Sequence, residues 1–319
     1  MIVPVLNAQQ SIGLLLDALE KQETRPRELV IVDNGCTDST IEIVKSFAER
    51  SSFAVRVLEE ETPGPSAARN RGLAETIAEI LVFVDADCIP SPKWLTRILE
   101  HMDSGETVVC GPYQDSAPQG WIGRYIASYQ TAERREARKV TAADYRNPLF
   151  LGGNMAWHRE LLLQMGGFPV ELRWGEDLEM GRRLLEKGTG FLYDPELSME
   201  HRNHDTLRIR FAKAWSFGRY EARIVSMQEG PKVDIRFLSP LKLLLLSGVC
   251  LGLMPPLGWA GLVLLLGWAL FRMSTYYERA ELRIGPKEIL YAPLLLIAER
   301  CVMELGRLKG SIEHKVLCF

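Results

Sequence analysis

The chain has 319 residues, 47% hydrophobic and 25% charged, enough for one large domain or for a domain with an appendage. Its formal net charge of -3 leaves no basic surplus that would point to a nucleic-acid partner. The six cysteines (Cys36, Cys88, Cys110, Cys250, Cys301 and Cys318) contain no CxxC pair, which argues against a disulfide framework or a zinc site and fits a reducing compartment.

From the start, short apolar runs alternate with helical patterns. MIVPVLNAQQ lacks the basic n-region and long apolar stretch of a signal peptide, so none is expected. IVPV (2–5) precedes the amphipathic SIGLLLDALEKQ, and ELVIVD (28–33) precedes DSTIEIVKSFAER, where the Ser39-to-Glu42 spacing predicts a capping box. AVRVLE (54–59) leads through Pro63, Gly64 and Pro65 into SAARNRGLAETIAEI. Then come LVFVDAD (81–87), the helical SPKWLTRILEHM and TVVCG (107–111). Continuous apolar strands alternating with helices predict a mostly parallel sheet covered on both faces, with ligands at the carboxyl ends of the strands. Those ends carry Asn7, Asp33-Asn34 and Asp85/Asp87.

Further along, RYIASYQTAERREARKV reads as a charged helix, and NPLFLGGNMAWHRE holds a Gly-Gly turn among apolar residues. WGEDLEMGRRLLEKG predicts a helix starting near Glu176-Asp177. After TGFLYD (189–194) a loop carries HRNHD, and a long basic amphipathic helix follows. Residues 237–271 contain a single charge, Lys242, and Pro255-Pro256 divides them into arms 237–254 and 257–271. A bilayer core needs about 20 apolar helical residues. The arms approach that length if Lys242 and Arg272 snorkel, and a membrane-associated hairpin over about 237–275 is expected. Lys232, Arg236 and Lys242 before it, with Arg272, Arg279 and Arg283 after it, keep both ends cytosolic by the positive-inside rule. Residues 288–305, interrupted by Glu299 and Arg300, suit an interfacial helix better than a span.

Two aspartates at the end of a buried strand repel each other unless something sits between them. Three readings stand: two turn carboxylates, a haloacid-dehalogenase-type nucleophile and acid, or a divalent cation that bridges a diphosphate. In the second, Asp85 would be the nucleophile of a phosphohydrolase, although that signature sits on a first strand and the strand here is the fourth. Neighbouring stretches favour the third. VPVLNAQQSIGLLLDAL, ELVIVDNGCTDSTIEIV, PGPSAARNRGLAE and LVFVDADCIP stand in that order, followed by GGNMAWHRE and WGEDLEMGRRLLEKG. Together, over roughly residues 1–205, they resemble glycosyltransferase family 2, inverting enzymes of GT-A fold, here in a membrane-associated form.

The resemblance implies an α/β, Rossmann-like, mostly parallel sheet flanked by helices, forming a GT-A domain over 1–230. A membrane-associated helical region over 231–319 would follow. It implies nucleotide-sugar contacts from Pro4, Asp33, Asn34, Arg69, Asp85 and Ala86, and Mg²⁺ or Mn²⁺ held by Asp87 and Asp85 with His201. Asp177 would be the general base and Glu176 its support. His204 is a second candidate of the HRNHD loop, and Trp157 and Trp174 are candidates to stack on sugar rings. The expected donor is a nucleotide-sugar, UDP-linked, and the expected acceptor is lipid-linked or a polysaccharide precursor. The reaction would take place at the cytosolic face of the cell's inner membrane, with no nucleic acid involved. Two departures matter. Asp33-Asn34-Gly35-Cys36 replaces the usual DDGS, and the QxxRW of processive polymerases is absent, so a single addition is expected. A non-catalytic membrane scaffold with a transferase-like domain is a further alternative, disfavoured by the intact set of carboxylates. A nucleotidyltransferase would need a Gly-rich, basic loop after strand one, and NAQQS is not one.

Overall fold

The computed structural model describes residues 1–115, 120–131, 137–141, 152–172, 175–202, 206–227, 233–234, 239–279 and 284–318. Residues 147–151 of the Gly-Gly segment, Trp174, His204, Lys232, Arg236 and Arg283 lie outside the described residues. Contacts divide the chain into two compact units, Met1–Ser116 with Glu133–Asn203, and Ala117–Ala132 with His204–Phe319.

The first unit opens with the expected alternation: β1 (Ile2–Val5), α1 (Ile12–Glu20), β2 (Glu28–Asp33), α2 (Thr40–Ala48), β3 (Ala54–Glu59), α3 (Pro65–Glu75) and β4 (Ile80–Val84). It continues with β5 (Cys88–Pro90), α4 (Trp94–Asp103), β6 (Val108–Cys110) and β7 (Tyr113–Asp115). After α5 (Gly120–Thr131), which belongs to the second unit, come β8 (Arg138–Val140), β9 (Asn154–His158), α6 (Arg159–Gln164), α7 (Glu176–Glu186), β10 (Phe191–Tyr193) and β11 (Met199–His201).

Eight strands form one sheet in the order β3-β2-β1-β4-β9-β6-β10-β8. β1 pairs in parallel with β2 and β4, β2 with β3, and β6 with β10, whereas β9 runs antiparallel between β4 and β6. Successive side chains of a strand face opposite ways, so a sheet covered on both sides needs apolar residues at every position. Val3, Ile31, Val82 and Val84 accordingly pack with Leu15, Leu16, Val44 and Ile98 from the helices of one face. Their neighbours Ile2, Val30, Leu81 and Phe83 pack with Leu73, Met180 and Leu184 on the other. A second, three-stranded sheet orders β5-β11-β7 and brings the chain just after Asp87 against His201.

Two local expectations are corrected. Ser39 makes no side-chain capping bond at α2. Asp38 takes that place, its Oδ1 accepting from the Thr40 amide at 3.0 Å and the Thr40 hydroxyl at 2.5 Å, because a carboxylate competes well for the free N–H groups of a first turn. In place of one charged helix over 124–140, the described helix covers Gly120–Thr131 and Arg138–Val140 is an edge strand. Val140 pairs with Phe191 there and is buried, which a helical path would not allow.

The second unit holds α5, α8 (Leu207–Met227), α9 (Pro240–Leu253), α10 (Pro255–Arg279) and α11 (Pro286–His314), with a small pair of strands, β12 (Val233–Asp234) and β13 (Leu317–Cys318). The Pro255-Pro256 pair opens α10 instead of forming a loop, as the N–H groups of a first helical turn have no intrahelical bonds to lose. The arms are therefore unequal. α9, with 14 residues, is about 21 Å long, and α10, with 25, about 37 Å, against a hydrocarbon core of about 30 Å. α10 is the one helix among the described residues long and apolar enough to cross a membrane. Leu257, Trp259, Val263, Leu264 and Phe271 on it are exposed.

In α11 the acid that interrupts the apolar pattern is buried. Glu299 accepts from Arg210 Nε and Nη2 at 3.0 and 2.9 Å and from the Tyr125 hydroxyl at 3.3 Å, while Ile289, Leu290 and Leu294 stay exposed. α8 and α11 cross at backbone contact: a Cβ on Gly218 would strike the Met303 carbonyl, and one on Gly306 the Trp215 carbonyl. Gly306→Leu is expected to force these helices apart and to cost about 1–3 kcal/mol, read as a lower melting temperature in detergent solution. An unchanged melting temperature would contradict the close crossing.

Candidate active site

The site is built within the first unit where β4 ends. Asp85 follows Val84 directly, and a turn in which the Cys88 amide donates to the Asp85 carbonyl (3.1 Å) carries Ala86 and Asp87 into β5. The two aspartates have different surroundings. Asp85 Oδ1 accepts from Arg69 Nη2 at 2.9 Å, and Oδ2 accepts from the Tyr113 hydroxyl at 3.3 Å. Asp87 turns to His201, whose Nε2 lies 3.3 Å from its Oδ2.

Arg69, expected among the nucleotide-sugar contacts, is 2% exposed. Its Nη1 donates to Glu176 Oε1 at 2.9 Å, so one planar guanidinium bridges the strand-end carboxylate and the start of α7. Its ring-side face lies over Phe168, 5.5 Å from the centroid. Burial alone would lower the guanidinium's affinity for its proton, but the charges of Asp85 and Glu176 outweigh it and hold Arg69 firmly ionised.

α7 begins after Gly175, whose φ of 83° lies in the left-handed region, and Glu176, Asp177 and Glu179 occupy its first turn, where the helix dipole favours anions. Asp177 Oδ2 accepts from the Gly152 amide at 3.1 Å, and Oδ1 from the Leu178 amide at 2.8 Å. Burial and then the neighbouring charge of Glu176 push its carboxyl up to about 7, against the opposing pull of the two amides and Arg69. A carboxyl poised there can take a proton near neutral pH.

Gly152 and Gly153 form the turn that the sequence predicts, and neither has positive φ. They are small because carboxylates crowd them. A Cβ on Gly153 would overlap the Asp85 carboxylate, and one on Gly152 would come within 3.1 Å of Arg69 Nη2 and 3.2 Å of Asp177 Cβ. The next residue, Asn154, is fully buried and ties β9 to the start of α4 and to two further segments, accepting from Trp94 Nε1 (3.0 Å) and donating to the carbonyls of Pro112 (3.1 Å) and Leu197 (2.8 Å).

At the other strand ends, Asp33 Oδ1 accepts from the amides of Gly35 (3.1 Å) and Cys36 (2.8 Å), forming an Asx turn. Asn34 spends both amide hydrogens on the carbonyls of Glu60 and Thr62 (each 2.8 Å), and its oxygen accepts from the Gly64 amide (2.7 Å). Asn34 thus holds the loop ahead of α3. Pro4 lies in β1 opposite Val32, past the Ile2–Phe83 pair that joins β1 to β4. Trp157 does not stack on any site: it is fully buried in the core, with Nε1 on the Met155 sulfur at 3.2 Å.

Donor atoms of Asp87, Cys88 and His201 lie within 4.8 Å of one another. The carboxylate and imidazole suit Mg²⁺ or Mn²⁺, which prefer oxygen and tolerate nitrogen. Tyr113, which nothing in the sequence singles out, stacks on the His201 ring (centroids 4.6 Å, planes at 20°), donates to Asp85 and accepts from the Gly153 amide at 2.9 Å.

A mostly parallel sheet with paired carboxylates at its central strand end defines a GT-A glycosyltransferase architecture. The chain belongs to glycosyl transferase family 2, whose model matches residues 1–165. It is 30% identical over 193 residues to glycosyltransferase AglE of Haloferax volcanii, covering 59% of this chain and 61% of that one, under two thirds of the relative's length. It is 22% identical over 228 residues to the O-antigen chain rhamnosyltransferase RfbN of Salmonella typhimurium (70% and 72% covered). In structure it is similar to mannosyltransferase PcManGT from Pyrobaculum calidifontis, solved with GDP-Man and Mn²⁺ (TM-score 0.57, 22% identity, 98% and 86% covered). TarS 1-349 of S. aureus, solved with UDP-GlcNAc, also has a TM-score of 0.57 (20% identity, 97% and 91% covered).

Proposed function

We propose that this chain is an inverting, metal-dependent glycosyltransferase that moves one sugar from a nucleotide-sugar, a UDP-sugar foremost, to a hydroxyl of a lipid-linked or polysaccharide-precursor acceptor. The observation that carries the reading is the carboxylate array: Asp177, with a proton affinity near neutral, stands at the start of α7 and is joined through Glu176 and Arg69 to Asp85. Asp177 takes the proton of the acceptor hydroxyl as its oxygen bonds to the anomeric carbon. The bond from that carbon to the nucleotide diphosphate breaks on the opposite face, so configuration inverts. Glu176 and Arg69 fix Asp177's neighbourhood, and Asp33, Asn34 and Pro4 shape the nucleotide end. Asp87 and His201 would hold the divalent cation, which neutralises charge on the leaving diphosphate when bound. Support for the donor class comes from neighbours solved with GDP-Man and Mn²⁺ and with UDP-GlcNAc, and for the acceptor class from the O-antigen relative. α10 and the exposed apolar faces of α9 and α11 would tether the enzyme to the cytosolic face of the inner membrane.

Thermal unfolding against a panel of nucleotide-sugars, with Mn²⁺, Mg²⁺ or a chelator, tests the reading. A ligand at 100 times its Kd stabilises by about 2.7 kcal/mol. At least one nucleotide-sugar with metal is expected to raise the melting temperature by several degrees, and chelation to cancel the rise. A panel with no response to any nucleotide-sugar would overturn the proposal.

A further inference from the structure

The residue beside the metal position, at the start of β5, is a thiol. Cys88 begins β5 and is fully buried. β5 and β11 run antiparallel in the register Cys88↔His201, and directly paired residues in such a ladder project from the same face. The Arg202 amide closes the next rung on the Asp87 carbonyl at 2.9 Å. The ladder therefore brings a carboxylate, a thiol and an imidazole to one point, although no CxxC spacing announces it.

Their separations are close to tetrahedral edges, with the two nearest contacts made by different oxygens of Asp87. Zinc bonds of about 2.0–2.2 Å to oxygen or nitrogen and about 2.3 Å to sulfur give ligand-to-ligand edges of about 3.4 Å for O···N and about 3.6 Å for O···S. Asp87 Oδ2 lies 3.3 Å from His201 Nε2 and Oδ1 lies 3.9 Å from Cys88 Sγ, and one donor atom from each of the three residues lies within 4.8 Å of the others, so a turn of the carboxylate would present a single oxygen to both partners. Stacking of Tyr113 on His201 fixes the imidazole plane, so the ring does not need to reorganise to bind.

We infer that Asp87, Cys88 and His201 form a three-ligand site for a thiophilic divalent cation, Zn²⁺ foremost, and that this cation displaces Mn²⁺ or Mg²⁺ and inhibits the enzyme. A hard ion uses the carboxylate and imidazole and leaves the sulfur untouched. A thiophilic ion adds the thiolate, the thiol proton passing to solvent, and gains affinity over the hard ion from both the sulfur bond and the Irving–Williams order. Three protein ligands and one remaining position also suit a diphosphate poorly, since octahedral Mn²⁺ leaves more positions for phosphate oxygens and water. The inference rests on reading Asp87 and His201 as the metal position.

The test loads the full-length protein with Co²⁺, a spectroscopic substitute for Zn²⁺, and separately titrates Mn²⁺ by electron paramagnetic resonance. A near-ultraviolet thiolate-to-cobalt charge-transfer band is expected in the wild type and in Cys36→Ser, and is expected to vanish in both Cys88→Ser and Cys88→Ala. Zn²⁺ competed against a chromophoric chelator is expected to bind at least about tenfold more weakly to the Cys88 variants than to the wild type. If Mn²⁺ binds but Co²⁺ gives no thiolate band, or if the band survives in a folded Cys88 variant, this inference fails alone. If neither ion binds, the metal position itself is refuted and the inference falls with it.

Discussion

Asp177→Asn is expected to lower kcat by about 10²- to 10⁴-fold, the usual contribution of a positioned general base. Nucleotide-sugar affinity should stay within a few-fold of wild type, because among the described residues Asp177 bonds to the amides of Gly152 and Leu178, and an asparagine of the same shape can keep one of these contacts. The pH dependence follows from the same residue. Burial and Glu176 raise the carboxyl from its ordinary 3.8 to about 7. The base works only when deprotonated, so kcat/KM should fall as pH drops through about 7. The effect on stability has the opposite sense. The folded state prefers the protonated acid, a contribution that is complete below the unfolded value of 3.8 and is lost as pH rises through about 7. Asp177→Asn, always neutral, should therefore melt higher than wild type at pH 8, and that advantage should disappear near pH 4. A variant that transfers at the wild-type rate, or an acidic limb near pH 4, would refute the assignment.

Removing the cation between the carboxylates should be the most damaging change to the scaffold of the site. Arg69→Met leaves Glu176 and Asp85 without their shared partner. Breaking a buried ion pair from one side costs about 3–5 kcal/mol, and the lower end applies here because the Asp85 side chain is 32% exposed and partly solvated. Arg69→Lys should recover only part of the loss, since one ammonium on a flexible stem cannot span two carboxylates 107 and 16 residues away in the chain as a planar fork does. Urea unfolding measures the cost. A second readout separates this bridging role from simple packing: the positive charge pulls the Asp177 carboxyl down, so in folded Arg69→Met the acidic limb of kcat/KM should move to higher pH, and in Arg69→Lys, which keeps the charge, it should move less. A limb that stays in place would show that Arg69 does not act on the base.

Much of this was legible in the sequence because strand ends and helix starts are local. LVFVDAD announces a buried strand by its continuous apolar residues, and the aspartates after it mark where the strand meets solvent. WGED places two acids at a helix start, where the dipole wants them, and the structure begins α7 at Glu176. What the sequence hid depends on partners far apart in the chain. The resemblance puts Arg69 near the nucleotide, but its bridge to Glu176 appears only once α7 closes over it. The equivalence of Asp85 and Asp87 disappears once Tyr113 and Arg69 occupy both oxygens of Asp85, leaving Asp87 beside His201. Cys88 gains a role only through the β5–β11 register, which no spacing rule reveals. Glu299 misleads in the same way: an acid that should break an apolar helix is neutralised by Arg210, 89 residues earlier. Ser39 fails as a cap for a local reason, because Asp38, one residue before it, offers a stronger acceptor.

The most direct test of the account follows the anomeric carbon. Water that takes the place of the acceptor would release the sugar with the stereochemistry of the reaction, without knowledge of the natural acceptor. Proton NMR of the first sugar released from a binding nucleotide-sugar, with Mn²⁺ present, should show the anomeric configuration opposite to that of the donor, and Asp177→Asn should release almost none. Release with the donor's configuration retained, or equal release from Asp177→Asn, would contradict inversion by a base at the start of α7.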